Sequence, residues 1–445
     1  MKALRSTTAA ALLALSLAGG AFAQAAPAAS QAAASAPASS FHVRPADDAW
    51  RARLPRDADA ATQAYMDRLP ADAVARSNAY FEGGYWIDLW SFLWNSAIFL
   101  ILLQSGLSVR LREWAARRAS SPTLQTLMYW PGFLVAITLL SLPLDWYVGW
   151  YREQQYGMSN QTIGAWIGEW AKEFAIWLIL GGIALITFYA IARRLERSWW
   201  VWGAIAMLCF LVLDAAIAPV YIVPMFNTPK RLEDQRVVQP ILSLARANGI
   251  DANEVWEIDA SKQTKRASAN VSGMFGSERI TLNDNLLNRS SLPEIEAVMG
   301  HEMGHYVLNH VYKGIVMFGV IIVIGFAFLA RFFDRLRGRW GVTGVGDVAG
   351  LPLLCFLFGV YLFVMTPVLN TIVRTQEYEA DIFGLNAARQ PDGFARAALL
   401  LSEYRKMEPG PIEEILFYDH PSGRTRIHSA MRWKAEHPET WNPAQ

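Results

Sequence analysis

Apolar residues in this chain gather into six long blocks separated by polar stretches. The blocks cover about residues 86–105, 127–150, 173–192, 199–222, 313–333 and 349–372. Each is at least about twenty residues long, enough for a helix to cross ~30 Å of hydrocarbon. Aromatic residues crowd the block ends, among them Trp86, Trp90, Trp94, Trp146, Trp150, Trp199, Trp200 and Trp202. Rings of this kind anchor helices at the membrane–water boundary. The pattern therefore predicts a mainly α, polytopic membrane helical bundle or barrel.

The N-terminus carries a shorter apolar run. Lys2 and Arg5 precede the apolar core Ala9–Leu17, and Ala21-Phe22-Ala23 follows as a small-x-small site. This reads as a secretory signal over 1–23, too short to span. Residues 24–40 are rich in Ala, Pro, Ser and Gln and read as a disordered lead-in. A more polar segment then runs to residue 85, with helical patterning around Thr62–Tyr80.

Composition agrees with a membrane protein. The chain is 53% hydrophobic and 18% charged, whereas soluble globular chains average about 25% charged. A net charge of +1 gives no global field for nucleic acid. The two cysteines, Cys209 and Cys355, lie inside apolar blocks and exclude a disulfide scaffold. Charge matters more by position. Arg110, Arg112, Arg117 and Arg118 follow the first block, Arg193, Arg194 and Arg197 the third, and Arg331, Arg335, Arg337 and Arg339 the fifth. These alternate loops share one side, cytoplasmic by the positive-inside rule. Residues 24–85, 151–172, 223–312 and 373–445 then lie on the other side, where a signal peptide would also send the N-terminus. The expected setting is a bacterial inner membrane with these segments in the periplasm.

The candidate chemistry lies in those outside segments. His301-Glu302-Met303-Gly304-His305 follows a run from Pro293 that reads as a helix with Ser290 or Ser291 near its N-cap. Positions i and i+4 share a helix face, so two imidazoles one turn apart can bind one zinc ion. Glu302, rotated away from the ligands, can act as general base toward water. His310, five residues past His305, is expected to point elsewhere in a structural or interfacial role. A catalytic zinc takes three protein ligands. Beyond the last block, Glu377 and Asp381 are also i, i+4. One would be the third ligand and the other an acceptor for a ligand imidazole N–H; spacing does not settle which. Glu379 projects to another face. Short strands are expected at Val255–Ala260, Asn270–Phe275 and Arg279–Asn283, giving a small α+β domain between residues 223 and 312.

Several further motifs occur in order. Glu153-x-x-Tyr156-Gly157-Met158-Ser159-Asn160-Gln161-Thr162 follows the second block. Ala218-Pro219-Val220-Tyr221 and Phe226 precede the polar domain. Ser268-Ala269-Asn270, Arg279 to Leu287, and Asp419-His420-Pro421-Ser422 with Arg426-Ile427 complete the set. With His301–His305 and Glu377–Asp381 they make the chain, from about Ser77 onward, resemble the type 1 CAAX prenyl proteases. These are gluzincin-type integral-membrane zinc endopeptidases. The resemblance implies that His301, His305 and Glu377 bind one Zn2+ and that Glu302 is the general base. It also implies that Asn270 lies on an edge strand gripping the substrate, and that His420 steadies the tetrahedral oxyanion with Arg426 close by. Family members have seven spans around a water-filled chamber; here six follow the signal, unless the signal itself is retained as a seventh. The implied partners are a polypeptide substrate and the lipid bilayer.

The function expected is peptide-bond hydrolysis of extended polypeptides, in membrane-protein or envelope quality control. The family's CAAX-box processing acts on prenylated substrates from the cytosol and fits poorly with an outward-facing site. Two other readings are a heat-shock-type membrane metalloprotease facing the cytoplasm and a non-catalytic polypeptide- or lipid-binding chaperone. The expected organisation is a signal (1–23), a lead-in and N-terminal segment (24–85), four spans (86–222), a zinc-protease domain (223–312), two spans (313–372) and a C-terminal helical part (373–445).

Overall fold

A computed structural model describes residue 43 and residues 46–272 and 279–441. The expected signal (1–23) and disordered lead-in (24–40) lie outside the described residues, as do Gly273 to Phe275 of one expected strand. Among the described residues, six helices are long and apolar enough to cross a membrane, and each of the six expected blocks overlaps one of them. Five of the helices continue past their blocks in polar turns, whereas the fourth, Trp199–Ile217, stops short of the expected residue 222, where a π-helical turn, Ala218–Ile222, follows. The first four are α1 (Ala71–Gln104), α2 (Pro122–Trp146), α3 (Ile163–Arg194) and α4 (Trp199–Ile217). Pro70 ends the helical patterning seen near residue 62, so a separate short helix, Ala58–Met66, precedes α1.

A sheet domain follows. It comprises β1 (Lys230–Arg231), α5 (Gln235–Ala247), β2 (Val255–Ile258), β3 (Ala269–Ser272), β4 (Arg279–Asn283) and α6 (Leu292–Val307). The strand order is β1-β2-β4-β3, with β2 and β4 parallel and the other pairs antiparallel. Ile241, Ile280, Leu282, Met299 and Met303 are buried together between sheet and helices. Ser291 caps α6, and its N–H donates to Glu294 Oε2 at 2.6 Å, one half of a capping box. The last two spanning helices are α7 (His310–Leu336) and α8 (Leu351–Ala388). Then come α9 (Pro391–Leu401), α10 (Pro411–Phe417) and α11 (Gly423–Glu436).

The basic loops meet at one end of the bundle. Arg112 pairs with Asp347 at 2.6 Å, and Arg193 Nε donates to Gly346 O at 3.0 Å. At the other end, the loop after α2 is tied to the sheet domain. Asn160 N–H donates to Gln263 O (2.9 Å), Asn160 Nδ2 to Ser261 O (2.7 Å), and Lys265 N–H to Met158 O (3.1 Å). Asn283 and Asn285 hold the same segment from the sheet side, their Nδ2 groups donating to Arg266 O and Thr264 O at 2.7 Å each. The motifs around Asn160 and Asn283 thus build one clasp between bundle and domain.

α6 and α8 cross with their backbones in contact. A Cβ built on Gly384 would lie 2.6 Å from His301 N, and one on Gly304 3.1 Å from Ala380 Cα. The backbones touch because these positions carry no side chain. Overpacking such a contact costs about 1–3 kcal/mol. Gly384→Ala should therefore lower the melting temperature of the purified protein in detergent. Gly359→Ala, on the same helix with open space around it, should leave it unchanged. Equal melting temperatures for the two variants would refute the tight crossing.

Candidate metal centre

The crossing sets four side chains against one another. His301 and His305 project from one face of α6, and Glu377 and Asp381 from the facing side of α8. His301 Nε2 lies 3.2 Å from His305 Nε2 and 3.2 Å from Glu377 Oε2; His305 Nε2 lies 3.4 Å from Glu377 Oε1. Three ligand atoms sharing a tetrahedral ion at ~2.0–2.1 Å would lie about 3.3 Å apart. The observed spacings match, and the three residues form a group able to hold a metal ion. Glu377 Oε2 is buried, with His301 Nε2 and His420 Nε2 beside it at 3.2 Å each. A buried carboxylate set against imidazole nitrogens is a donor set suited to a shared cation.

Each imidazole is fixed from behind. His301 Nδ1 donates to Asp381 Oδ1 at 2.7 Å, which leaves the Nε2 lone pair for a metal. Asp381 is itself held by Arg426, whose Nε donates to Oδ2 at 2.9 Å and whose Nη2 donates to Oδ1. The order left open by spacing is thereby resolved in geometry: Glu377 faces the histidines' Nε2 atoms and Asp381 sits behind His301. Arg426, in the first turn of α11, is buried behind the site and does not face the metal position.

His305 has its own support, and here the sequence-based expectation is corrected. A continuous helix would turn His310 away. Instead α6 ends at Val307, and Asn309 adopts a left-handed conformation (φ 58°, ψ 38°). The chain kinks there, bringing His310 Nδ1 to 2.9 Å from His305 Nδ1. His310 Nε2 lies 3.0 Å from Glu379 Oε2, which also accepts from Lys313 Nζ at 2.7 Å. If His310 donates through Nε2, its Nδ1 accepts from His305 Nδ1–H, and His305 Nε2 keeps a free lone pair. Glu379, expected to project away, closes this relay. The one sequence clue to it was an asparagine before a second helix start, since Asn tolerates φ > 0.

His420 enters from the loop between α10 and α11. Its Nε2 is 3.2 Å from Glu377 Oε2, and its Nδ1 is 2.8 Å from Asp419 Oδ1. Asn270 lies on β3, at the end of the sheet order and packed against α6, and its Oδ1 is buried without a hydrogen-bond partner. Burial raises the Glu302 carboxyl above the ordinary carboxylate range, against the lowering influence of His301 and His305. For His301 burial acts downward, but hydrogen bonds to Asp381 and Glu377 prevail and lift it to about 10.

The architecture and this site have known counterparts. Residues 231–434 match the model of peptidase family M48, and residues 53–228 match the model of the CAAX prenyl protease N-terminal region, described as five membrane helices. An uncharacterized metalloprotease of Bacillus subtilis, YhfN, is 31% identical over 341 residues, covering 75% of this chain and 80% of that protein. The chain belongs to peptidase family M48. It is accordingly a membrane metalloprotease, with a fold class matching the one expected from sequence. CAAX prenyl protease 1 of Saccharomyces cerevisiae is 27% identical over 362 residues, covering 76% of this chain and 78% of that one. The crystal structure of S. mikatae Ste24p superposes with a TM-score of 0.70 at 23% identity, covering 86% of this chain and 95% of that chain. This M48 peptidase therefore shares the Ste24p fold.

Two outcomes follow for metal binding. With its pKa lifted to about 10, metal-free His301 is protonated at pH 8, and a metal must displace the Nε2 proton. Binding of Co2+ or Zn2+ at pH 8 should release about one proton, and affinity should rise with pH below about 10. Titration calorimetry in buffers of different ionisation enthalpy reads this directly; buffer-independent heats would refute it. Asp381→Asn should weaken metal binding by about 10–100-fold, read by competition with a chelating dye.

Proposed function

We propose that this M48 member is a zinc endopeptidase that cleaves extended polypeptides at the membrane. The observation that carries the reading is the convergence of the His301 and His305 Nε2 atoms on the two oxygens of the buried Glu377 carboxylate, at 3.2 and 3.4 Å. His301, His305 and Glu377 would hold one Zn2+, a borderline-soft ion suited to two imidazoles and a carboxylate. When bound, the ion supplies Lewis acidity toward water and the scissile carbonyl.

The chain's own residues do the rest. An extended substrate adds as a strand along the open edge of β3, where Asn270 Oδ1 is available to accept a substrate N–H. Glu302 removes a proton from the attacking water and later hands it to the leaving amine. Its raised pKa suits both halves of that exchange. His420, whose Nδ1 lies 2.8 Å from Asp419 Oδ1 and whose Nε2 faces the site, hydrogen-bonds the developing oxyanion. Arg426 and Asp381 act as positioning residues through His301.

The arginine-rich loops meet at the end of the bundle opposite the sheet domain. The positive-inside rule supports a cytoplasmic location for those loops, hence a periplasmic catalytic side in a bacterial inner membrane. That side favours envelope or membrane-protein quality control over processing of prenylated cytosolic chains. Labelling Glu254→Cys with a membrane-impermeant maleimide in intact spheroplasts tests the side. Labelling only after lysis would instead support a cytoplasm-facing protease.

Glu302→Gln should retain stoichiometric zinc and cleave β-casein about 10²–10⁴-fold more slowly. Retained cleavage would remove Glu302 from the base role, and lost zinc would make the variant a structural defect. In the native protein, kcat/KM should fall as pH drops through the raised Glu302 pKa, because the base must be deprotonated. The acid limb should thus lie above that of a free glutamate. A stopped pH series on a fluorogenic peptide locates it.

A further inference from the structure

α10 is built inside out. Its sequence, Pro411-Ile412-Glu413-Glu414-Ile415-Leu416-Phe417, places Ile412, Ile415 and Leu416 on one face at i, i+3 and i+4. On a helix bathed in water such a stripe turns toward the core. Here Ile412 is 72% exposed, Ile415 51% and Leu416 38%. The carboxylates turn inward instead. Glu413 Oε1 accepts from Tyr85 Oη at 2.6 Å and Lys406 Nζ at 2.9 Å, and Oε2 accepts from Gly410 N at 3.0 Å. Glu414 Oε1 accepts from Ser422 N at 3.0 Å. Polar groups thus face protein, and apolar groups face out.

The position of α10 along the bundle indicates what covers the stripe. α10 leans on α1 and α8: the Phe417 ring stacks on Tyr85 with centroids 4.0 Å apart, and Asn370 Nδ2 donates to Leu416 O at 2.7 Å. About twenty helical residues cross the hydrocarbon. Counted from the basic-loop end, that length of α1 runs from Gln104 to Tyr85, and that of α8 from Leu351 to Asn370. The two residues that α10 touches therefore stand at one level, the boundary of the hydrocarbon on the sheet-domain side. Just within that boundary the outward surface is Trp86 and Val368, 65% and 44% exposed. The exposed stripe of α10 continues this exposed apolar surface.

We infer that α10 lies in the membrane–water interface, with Ile412, Ile415 and Leu416 set among the phospholipid acyl chains of the leaflet on the sheet-domain side. This inference does not rest on the proposed chemistry, but it bears on it. α10 runs straight into Tyr418, Asp419 and His420, and Arg374, one turn before Glu377, donates to Glu414 O (2.8 Å) and Tyr418 O (2.5 Å). The lipid surface thereby braces the loop that carries His420.

The test uses the full chain with Cys209→Ser and Cys355→Ala, reconstituted in phosphatidylcholine–phosphatidylglycerol vesicles. Single cysteines at Ile412 and Ile415 carry a nitroxide, and its collision rates with O2 and with a water-soluble nickel chelate are measured. Val364→Cys serves as the lipid reference and Arg236→Cys as the aqueous one, both being strongly exposed. The expected result is oxygen-dominant collision at Ile412 and Ile415, as at Val364, with nickel collision several-fold below that at Arg236. Nickel collision equal to that at Arg236 would overturn the inference. So would shielding from both reagents, which marks a protein neighbour; shielding that appears only with added β-casein would make that neighbour a substrate polypeptide.

Discussion

Everything at the centre depends on two helices touching backbone to backbone. α6 carries His301 and His305, and α8 carries Glu377 and Asp381. Their side chains reach one point only because Gly304 and Gly384 let the helices close to contact. Van der Waals contact at such a crossing tolerates no added methyl group without displacement. The same contact holds the sheet domain against the membrane bundle, since α8 is at once a spanning helix and a wall of the site. Stability and chemistry are thus set by one distance.

Around that crossing, charge is arranged in two chains that end on the imidazoles. Arg426 to Asp381 to His301 is buried throughout. Lys313 to Glu379 to His310 to His305 reaches the surface. Both end at the Nδ1 atom of a histidine and hold its ring so that Nε2 faces Glu377. A buried ion pair is seldom retained for stability alone, because desolvation offsets much of its Coulomb gain. Here the pairs orient rings, a task an apolar replacement could not perform.

The sequence was legible where a single local rule decides. Twenty-residue apolar runs mark spans, because lipid leaves the backbone no other partner than itself. The spacing of His301 and His305 marks a shared face. Glu377 and Asp381 were visible as a pair, but their order depends on which oxygen faces Nε2, a tertiary fact. The kink at Asn309 was out of reach, since no proline marks it and left-handed asparagine is a minority conformation. With it went the roles of His310 and Glu379. Of the strands, Arg279–Asn283 was found with its bounds, Val255–Ile258 was expected two residues too long, and the two-residue β1 was missed, because so short a run carries no periodicity. α10 was hidden for a different reason: its stripe reads as a core face, and only the position of Tyr85 and Asn370 against it turns that reading outward.

The residues of the candidate metal site lie on both sides of two membrane crossings in the chain. His301 and His305 leave the ribosome before α7 and α8, and Glu377 follows only after both have been made. A chain halted anywhere before the last span therefore holds two imidazoles and no third ligand. Completion of the site then reports that the bundle has been fully threaded and folded back on itself. For a hydrolase synthesised among other nascent membrane proteins, the order of its segments works as a safety catch, released by the final step of its own assembly.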